Sequence, residues 1–200
     1  MSRPALTHDV VVETARSLIQ AEGIDQVSLR RVARELGVTA PALYAYVRDY
    51  ESLLAAVAAG QFRRMQQRFA AVVANDPIDR LRVLGRTYVA YAREEPHLHR
   101  LAFRYPPAAL AGRDGRGFGP ATEAFASALA PIEEAIGAGL LVPDDPILVA
   151  LTLWSAAHGV AEVLLMGIGV TDEMADALVA SVVDATLDGL RRDPGTPVVG

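Results

Sequence analysis

The chain has 200 residues, 52% of them hydrophobic and 22% charged, with a formal net charge of −5. That length and apolar content allow one sizeable core or two small ones and exclude a disordered chain. The absence of cysteine excludes disulfide frameworks and thiolate zinc sites, as expected of a protein in a reducing cytoplasm.

The start, MSRPALTHDVVVETARSLI, mixes acids and polar residues with apolar ones and carries no signal-type apolar run. A first helix follows, with Val11, Ala15, Leu18 and Ile19 on one face and Gly23 as its stop. Ser28 is the expected N-cap of a second, in which Leu29, Val32, Ala33 and Leu36 recur at helical spacing until Gly37. After the Gly37-Val38 turn, Thr39 is placed to cap a brief third helix that tolerates Pro41 in its first turn and ends near Val47. Asp49 caps a long fourth helix, broken at Asn75-Asp76-Pro77.

Further helices are expected around residues 81–92, after Pro96, and over 121–138, 145–167 and 172–191, with no internal repeat. Residues 109–120, ALAGRDGRGFGP, read as a surface loop. The fold class is therefore all-α. The expected division is a helix-turn-helix domain over residues 1–60, a helical ligand-binding and dimerisation domain over 61–192, and a tail over 193–200.

All 19 basic residues are arginine, so the choice of arginine at any one position says little. Their location says more. Residues 1–68 hold nine arginines against seven acids, and the remainder ten against seventeen. A nucleic acid would dock on this N-terminal part, since phosphate attraction needs locally positive surface.

Two short helices joined by a glycine-containing turn and preceded by a third form a helix-turn-helix, whose second member can enter the major groove. The groove is about 12 Å wide and admits a helix whose flanks are uncluttered. Thr39, Ala40, Pro41, Ala42 and Ala45 meet that condition and leave apolar contact with thymine methyls open. Thr39, Tyr44 and Tyr46 are candidates for phosphate contact, and Arg30 for bidentate recognition of guanine. The plain alternative is a helical hairpin in which alanine serves helix propensity and tyrosine serves packing.

The wording of this stretch, VSLRRVARELGV, TAPALYAYV and ESLL, resembles the DNA-binding segment of the TetR family of transcriptional regulators over about residues 10–60. The resemblance implies that Arg30 reaches a base, that Pro41 and Ala42 open the recognition helix, and that Tyr44 supports it and meets phosphate. Tyr46 stands where His is usual and Val47 where Phe is usual. Tyr50 stands where the family often places a phosphate-holding lysine, so a neutral hydroxyl contact and a shallower salt dependence are expected. In the same way LTLWSAAHGVAEVLL, residues 151–165, resembles the Trp-His-Gly signature of one group of TetR ligand domains, through Trp154, His158 and Gly159.

Residues 147–170 carry Glu162 as their single charge and are long enough to cross a bilayer. The Ser, Thr, Gly and His they contain make a poor lipid-facing segment, and no membrane role is expected. Burial by a second copy is the better explanation. The last helix carries a continuous apolar stripe including Leu178, Val179, Val182 and Leu187, and in TetR relatives the last two helices pair with their copies. The dimerisation residues expected are thus Gly159, Leu178, Val179, Val182 and Leu187.

A homodimer of this kind would read a palindromic double-stranded operator and release it, as a repressor does, when a small apolar effector binds. Candidate effector contacts are Tyr88, Phe103, Arg104, Phe125, Trp154 and His158. A single histidine on an apolar helix is ordinarily a hydrogen-bonded core residue, so a structural role for His158 stands beside the ligand role. Catalysis is not expected. No GxSxG elbow, Walker loop or GxGxxG occurs, and His97 and His99 face different ways on a helix, so neither catalytic nor metal residues and no cofactor are assigned. The remaining alternative is a helical small-molecule binder without DNA-binding activity, whose surface around Arg30, Pro41 and Tyr44 would be non-basic.

Overall fold

A computed structural model describes residues 5–107, 117–142 and 144–191. Most of the expected loop over 109–120 and the whole expected tail over 193–200 lie outside the described residues. Among those described, secondary structure is helical apart from one isolated antiparallel bridge between Leu141 and Arg191. The chain divides into two compact units, Met1–Arg64 with Glu95–Thr122, and Met65–Glu94 with Glu123–Gly200.

In the first unit, helix α1 (His8–Glu22) starts where Thr7 Oγ1 accepts from the Val10 amide and ends at Gly23, whose φ of 83° suits a residue without a Cβ. A 3-10 turn, Ile24–Gln26, leads to α2 (Leu29–Leu36), where Ser28 Oγ accepts from the Arg31 amide at 3.2 Å. Gly37, left-handed at φ 60°, ends α2 as the Val38 amide reaches back to the Ala33 carbonyl at 2.9 Å.

The next segment departs from expectation. Ala40–Ala45 forms a 3-10 helix, and Thr39 holds the capping position without a side-chain cap bond. Six residues with a proline at the start give too few amides for an α-helical ladder, and the Ala42 amide closes instead on Thr39 at 3.0 Å. Helix α3 (Tyr50–Ala70) then opens on a reciprocal cap, with the Ser52 amide on Asp49 Oδ1 at 2.7 Å and the Asp49 amide on Ser52 Oγ at 3.0 Å.

The core of this unit gathers Val11, Ile19, Val32, Leu43, Leu53, Leu54 and Val57, all at most 1% exposed. Leu98 and Leu101 of α5 (Pro96–Ala102) join it, although this helix lies within the stretch 61–192 expected to form the other domain. Just before α5, the half-buried Glu95 carboxylate accepts from Arg16 and from Gln61 Nε2, the latter at 2.9 Å.

The second unit packs α4 (Pro77–Glu94), α6 (Gly119–Gly137, from Glu123 onward), α7 (Pro146–Leu165) and α8 (Asp172–Leu190) around Ile78, Val89, Ala135, Val149, Ala161, Val183 and Leu187. A Cβ on Gly85 of α4 would meet the Val183 side chain at 3.1 Å, so the glycine permits α4 and α8 to approach closely. Asp184 and Asp172 serve the same contact, receiving Arg82 at 2.5 Å and Arg93 at 2.7 Å.

The stripe expected to form a dimer seam on α8 is corrected here in part. Val179 and Leu187 are 7% and 0% exposed in the chain's own core, and Leu178 and Val182 lie half-buried against it. An amphipathic helix commits its most apolar face to the nearest core, which in this chain is intramolecular.

Candidate nucleic-acid interface

The reading surface is built by α2, the 3-10 helix and the start of α3. Leu43, fully buried, anchors the 3-10 helix from below, while its carbonyl accepts from the Tyr46 and Val47 amides at 2.9 and 3.0 Å. Thr39, Pro41, Ala42, Tyr44 and Ala45 remain exposed on the outer side, and Ala40 and Tyr46 half-buried beside them. Side chains no larger than threonine dominate that face, so the backbone can come close to base edges.

Charge is distributed unevenly among the arginines. Arg31 is held between Glu22 at 2.5 Å and Glu35 at 2.7 Å. These hydrogen bonds push its pKa above the usual guanidinium value, and those to Glu22 link α2 to the end of α1. Arg30 and Arg34, four residues apart on the next face, are exposed and have no ion-pair partner among the described residues. Arg48, with its side chain 83% exposed, lies just past the 3-10 helix and, among the described residues, pairs only with Asp49. Of these three cations, Arg30 alone was expected from the sequence to meet DNA. Arg34 was legible from its spacing to Arg30, whereas Arg48 needed the turn geometry.

An open groove of about 500 Å3 is lined by Ser28, Leu29, Arg30, Ala40, Pro41, Tyr44 and Tyr50. Tyr50 does not offer its proton outward. Its hydroxyl donates to the Val27 carbonyl at 2.8 Å, with the Ile24 carbonyl at 3.3 Å, which corrects the phosphate contact expected of it.

Of the expected effector contacts, three meet within the second unit. The Trp154 indole N–H donates to the Tyr88 hydroxyl oxygen at 3.2 Å, Tyr88 O–H lies 3.0 Å from His158 Nδ1, and Trp154 stacks on His158 at 5.2 Å. Burial lowers the His158 pKa and raises that of Tyr88, so both are neutral at pH 7. Phe125 is half-buried against the same core. Phe103 and Arg104 belong to the first unit, where Phe103 meets the His99 ring edge-on at 4.6 Å and Arg104 approaches Glu51 at 3.9 Å.

On α7 a second face lies open. Leu148, Thr152, Ser155, Gly159, Val163 and Met166 are all exposed at helical spacing, opposite Ala150, Ala157 and Ala161, and a Cβ on Gly159 would touch nothing within 4 Å. On α8 the matching face is Met174, Ala177, Ser181, Ala185 and Gly189. The mean hydropathy of α7 is 1.7, which by length and composition would allow a membrane crossing, yet only 28% of it is buried.

Two family models match the chain: "Bacterial regulatory proteins, tetR family" over residues 11–57, and "Tetracyclin repressor-like, C-terminal domain" over residues 81–186. An uncharacterised HTH-type transcriptional regulator of Mycobacterium tuberculosis is 31% identical over 197 residues, covering 96% of this chain and 85% of that protein. The chain belongs to the TetR family of transcriptional regulators.

TetR-family membership makes it a ligand-responsive DNA-binding regulator of transcription, and the family is not enzymatic. The helix-turn-helix region has a nearer counterpart, the transcriptional repressor DrrR1 of Streptomyces coeruleorubidus. That protein is 48% identical over 52 residues, which are 26% of this chain and 19% of DrrR1. Among solved structures, a protein of unknown function from Rhodococcus sp. RHA1 superimposes with a TM-score of 0.78 at 26% identity, covering 94% of this chain and 97% of that one. The Trp-His-Gly residues lie inside the C-terminal match and form the Tyr88–Trp154–His158 cluster described above, apart from Gly159, which faces outward.

Proposed function

We propose that this TetR-family chain is a cytoplasmic repressor, with no membrane role, that binds a palindromic operator as a homodimer and leaves it when a small, mostly apolar effector binds. The observation that carries the DNA contact is the pair of unpartnered cations, Arg30 and Arg34, flanking a small-residue reading face. A chain that bound only small molecules is expected to have a non-basic surface around Pro41 and Tyr44, and exposed Arg30 and Arg34 count against it. In this reading residues 1–60, whose core α5 joins, hold the reading head, and α4, α6, α7 and α8 respond to effector and pair with the second copy.

Arg30 donates to guanine, Arg34 and Arg48 meet phosphates, and Thr39, whose hydroxyl makes no cap bond, donates to phosphate as well. Ala40, Pro41, Ala42 and the Tyr44 ring edge contact thymine methyls, while Tyr46 supports them from beneath. The open faces of α7 and α8 support pairing. Their serine, threonine and glycine content suits helix-on-helix contact in a four-helix bundle better than lipid. Tyr88, Trp154 and His158, beside Phe125, supply the polar end of an effector site within the second unit.

Selection from random duplex DNA, with and without extracts containing candidate small molecules, tests this reading. A palindromic sequence should be enriched with half-sites about one helical turn, roughly 34 Å, apart. No preference over bulk competitor at modest ionic strength would overturn it. Arg30→Ala is expected to weaken the selected operator by about 1–3 kcal/mol and relax preference at one base pair per half-site. Titrating single-base operator variants against both proteins checks this, and equal discrimination by the two would remove Arg30 from base reading.

A further inference from the structure

Tyr50 is placed where one side chain spans the two elements that read DNA. Its backbone opens α3, four residues after Tyr46 closes the 3-10 helix, so its position is tied covalently to that helix. Its hydroxyl reaches the opposite way, donating to the Val27 carbonyl at 2.8 Å with the Ile24 carbonyl at 3.3 Å. Val27 is 5% exposed and directly precedes Ser28, the N-cap of α2, which carries Arg30 two residues later. Between these ends the ring forms a wall of the groove, with Arg30, Pro41 and Tyr44 on the others.

A phenol braced in this way fixes a spacing. Two carbonyls converge on one O–H at the junction between the 3-10 turn and α2, and a neutral hydroxyl is the donor such a half-buried site accepts at least cost. Burial holds the phenol pKa above its ordinary value, so it remains a donor throughout the physiological range.

We propose that Tyr50 is a positioning residue, which sets the distance between Arg30 and the recognition helix and thereby controls base discrimination rather than attachment to the DNA backbone. The proposal rests on the DNA-reading role of Arg30. Because no charge is offered to phosphate at this position, it contributes to the ratio of operator to bulk affinity and leaves bulk affinity alone.

The test uses the full-length protein and the duplex that the wild-type chain enriches from a random library, with an unrelated duplex as bulk DNA. Tyr50→Phe keeps the ring and removes the hydroxyl. Operator affinity should fall about three- to tenfold, the range for loss of one intramolecular hydrogen bond, with bulk affinity unchanged. In the Arg30→Ala background the same substitution should cost less than about twofold, since residues acting through one contact are not additive. Tyr50→Lys serves as a second variant: bulk affinity should rise, its log-log salt slope should steepen by about 0.9, and the operator-to-bulk ratio should drop.

Equal losses on operator and bulk DNA would mean that Tyr50 meets phosphate, and would overturn the proposal. Additive losses with Arg30→Ala, or no loss in Tyr50→Phe, would overturn it too. A wild-type chain with no operator preference would instead remove the DNA-reading role itself, and the proposal with it.

Discussion

Ser181→Glu combined with Ala185→Glu is expected to turn the proposed dimer into a monomer and to weaken operator binding by at least about a hundredfold. Both residues are exposed in the single chain, on the α8 face turned away from Val183 and Leu187, so glutamate costs the folded protomer little there. In a two-fold pair each substitution is met twice. Burying carboxylates without partners costs several kcal/mol, and each 1.4 kcal/mol is about tenfold in association. Without a second copy, one reading head must hold the operator without the high local concentration that linkage provides. Sedimentation checks the assembly and titration of the selected duplex checks the DNA. Dimers that persist would move the seam to another surface. Leu178 and Val182 are unsuitable for this test because both already pack against their own chain, and charge there would confuse unfolding with dissociation.

Leu43→Ala is expected to cost about 2–5 kcal/mol of stability, a large part of the roughly 5–15 kcal/mol typical of a folded protein. Leu43 is 0% exposed and is the only buried residue of the 3-10 helix. Leu53→Ala is the control, since Leu53 is also 0% exposed in the same core but sits on the long helix α3. Urea denaturation should give both variants a similar penalty. Operator affinity measured well below the transition should fall only for Leu43→Ala, because only there does the cavity open beneath the reading face. A Leu53→Ala protein that loses the operator equally would mean that general loosening, not local anchoring, is responsible.

Helix positions were largely legible because their ends carry strong local chemistry. Ser28, Gly37 and Asp49 mark starts and stops through side-chain caps or a left-handed φ, and each does so in the structure. What the sequence could not reveal was the partner of each apolar face. Val179 and Leu187 form the same periodic stripe whether they face their own core or another copy, and the richer stripe went inward. The open face, Met174, Ala177, Ser181 and Ala185, is marked by small size rather than hydrophobicity, a weaker signal in periodicity.

The candidate site divides in the same way. The small residues Thr39, Pro41 and Ala42 are exposed, in keeping with the uncluttered face that residue type and the family resemblance imply, whereas the Tyr44 ring, expected to support the helix, is itself 59% exposed. The 3-10 geometry was missed because short helices of either kind share caps and composition. Tyr50 was misread because its hydroxyl satisfies two carbonyls more than twenty residues earlier, a tertiary contact with no periodic trace. Likewise α5 is a short apolar helix whose sequence does not say which core it enters, and Leu98 and Leu101 join Leu43 and Leu53.

The anchoring of the 3-10 helix by a single leucine has an evolutionary consequence. Pro41, Ala42 and Ala45 are exposed and take no part in the core beneath them, so substitutions there can alter which sequence is bound while the scaffold stays intact. Duplicated descendants of such a gene could therefore diverge in target through a handful of outward replacements, each close to neutral for folding.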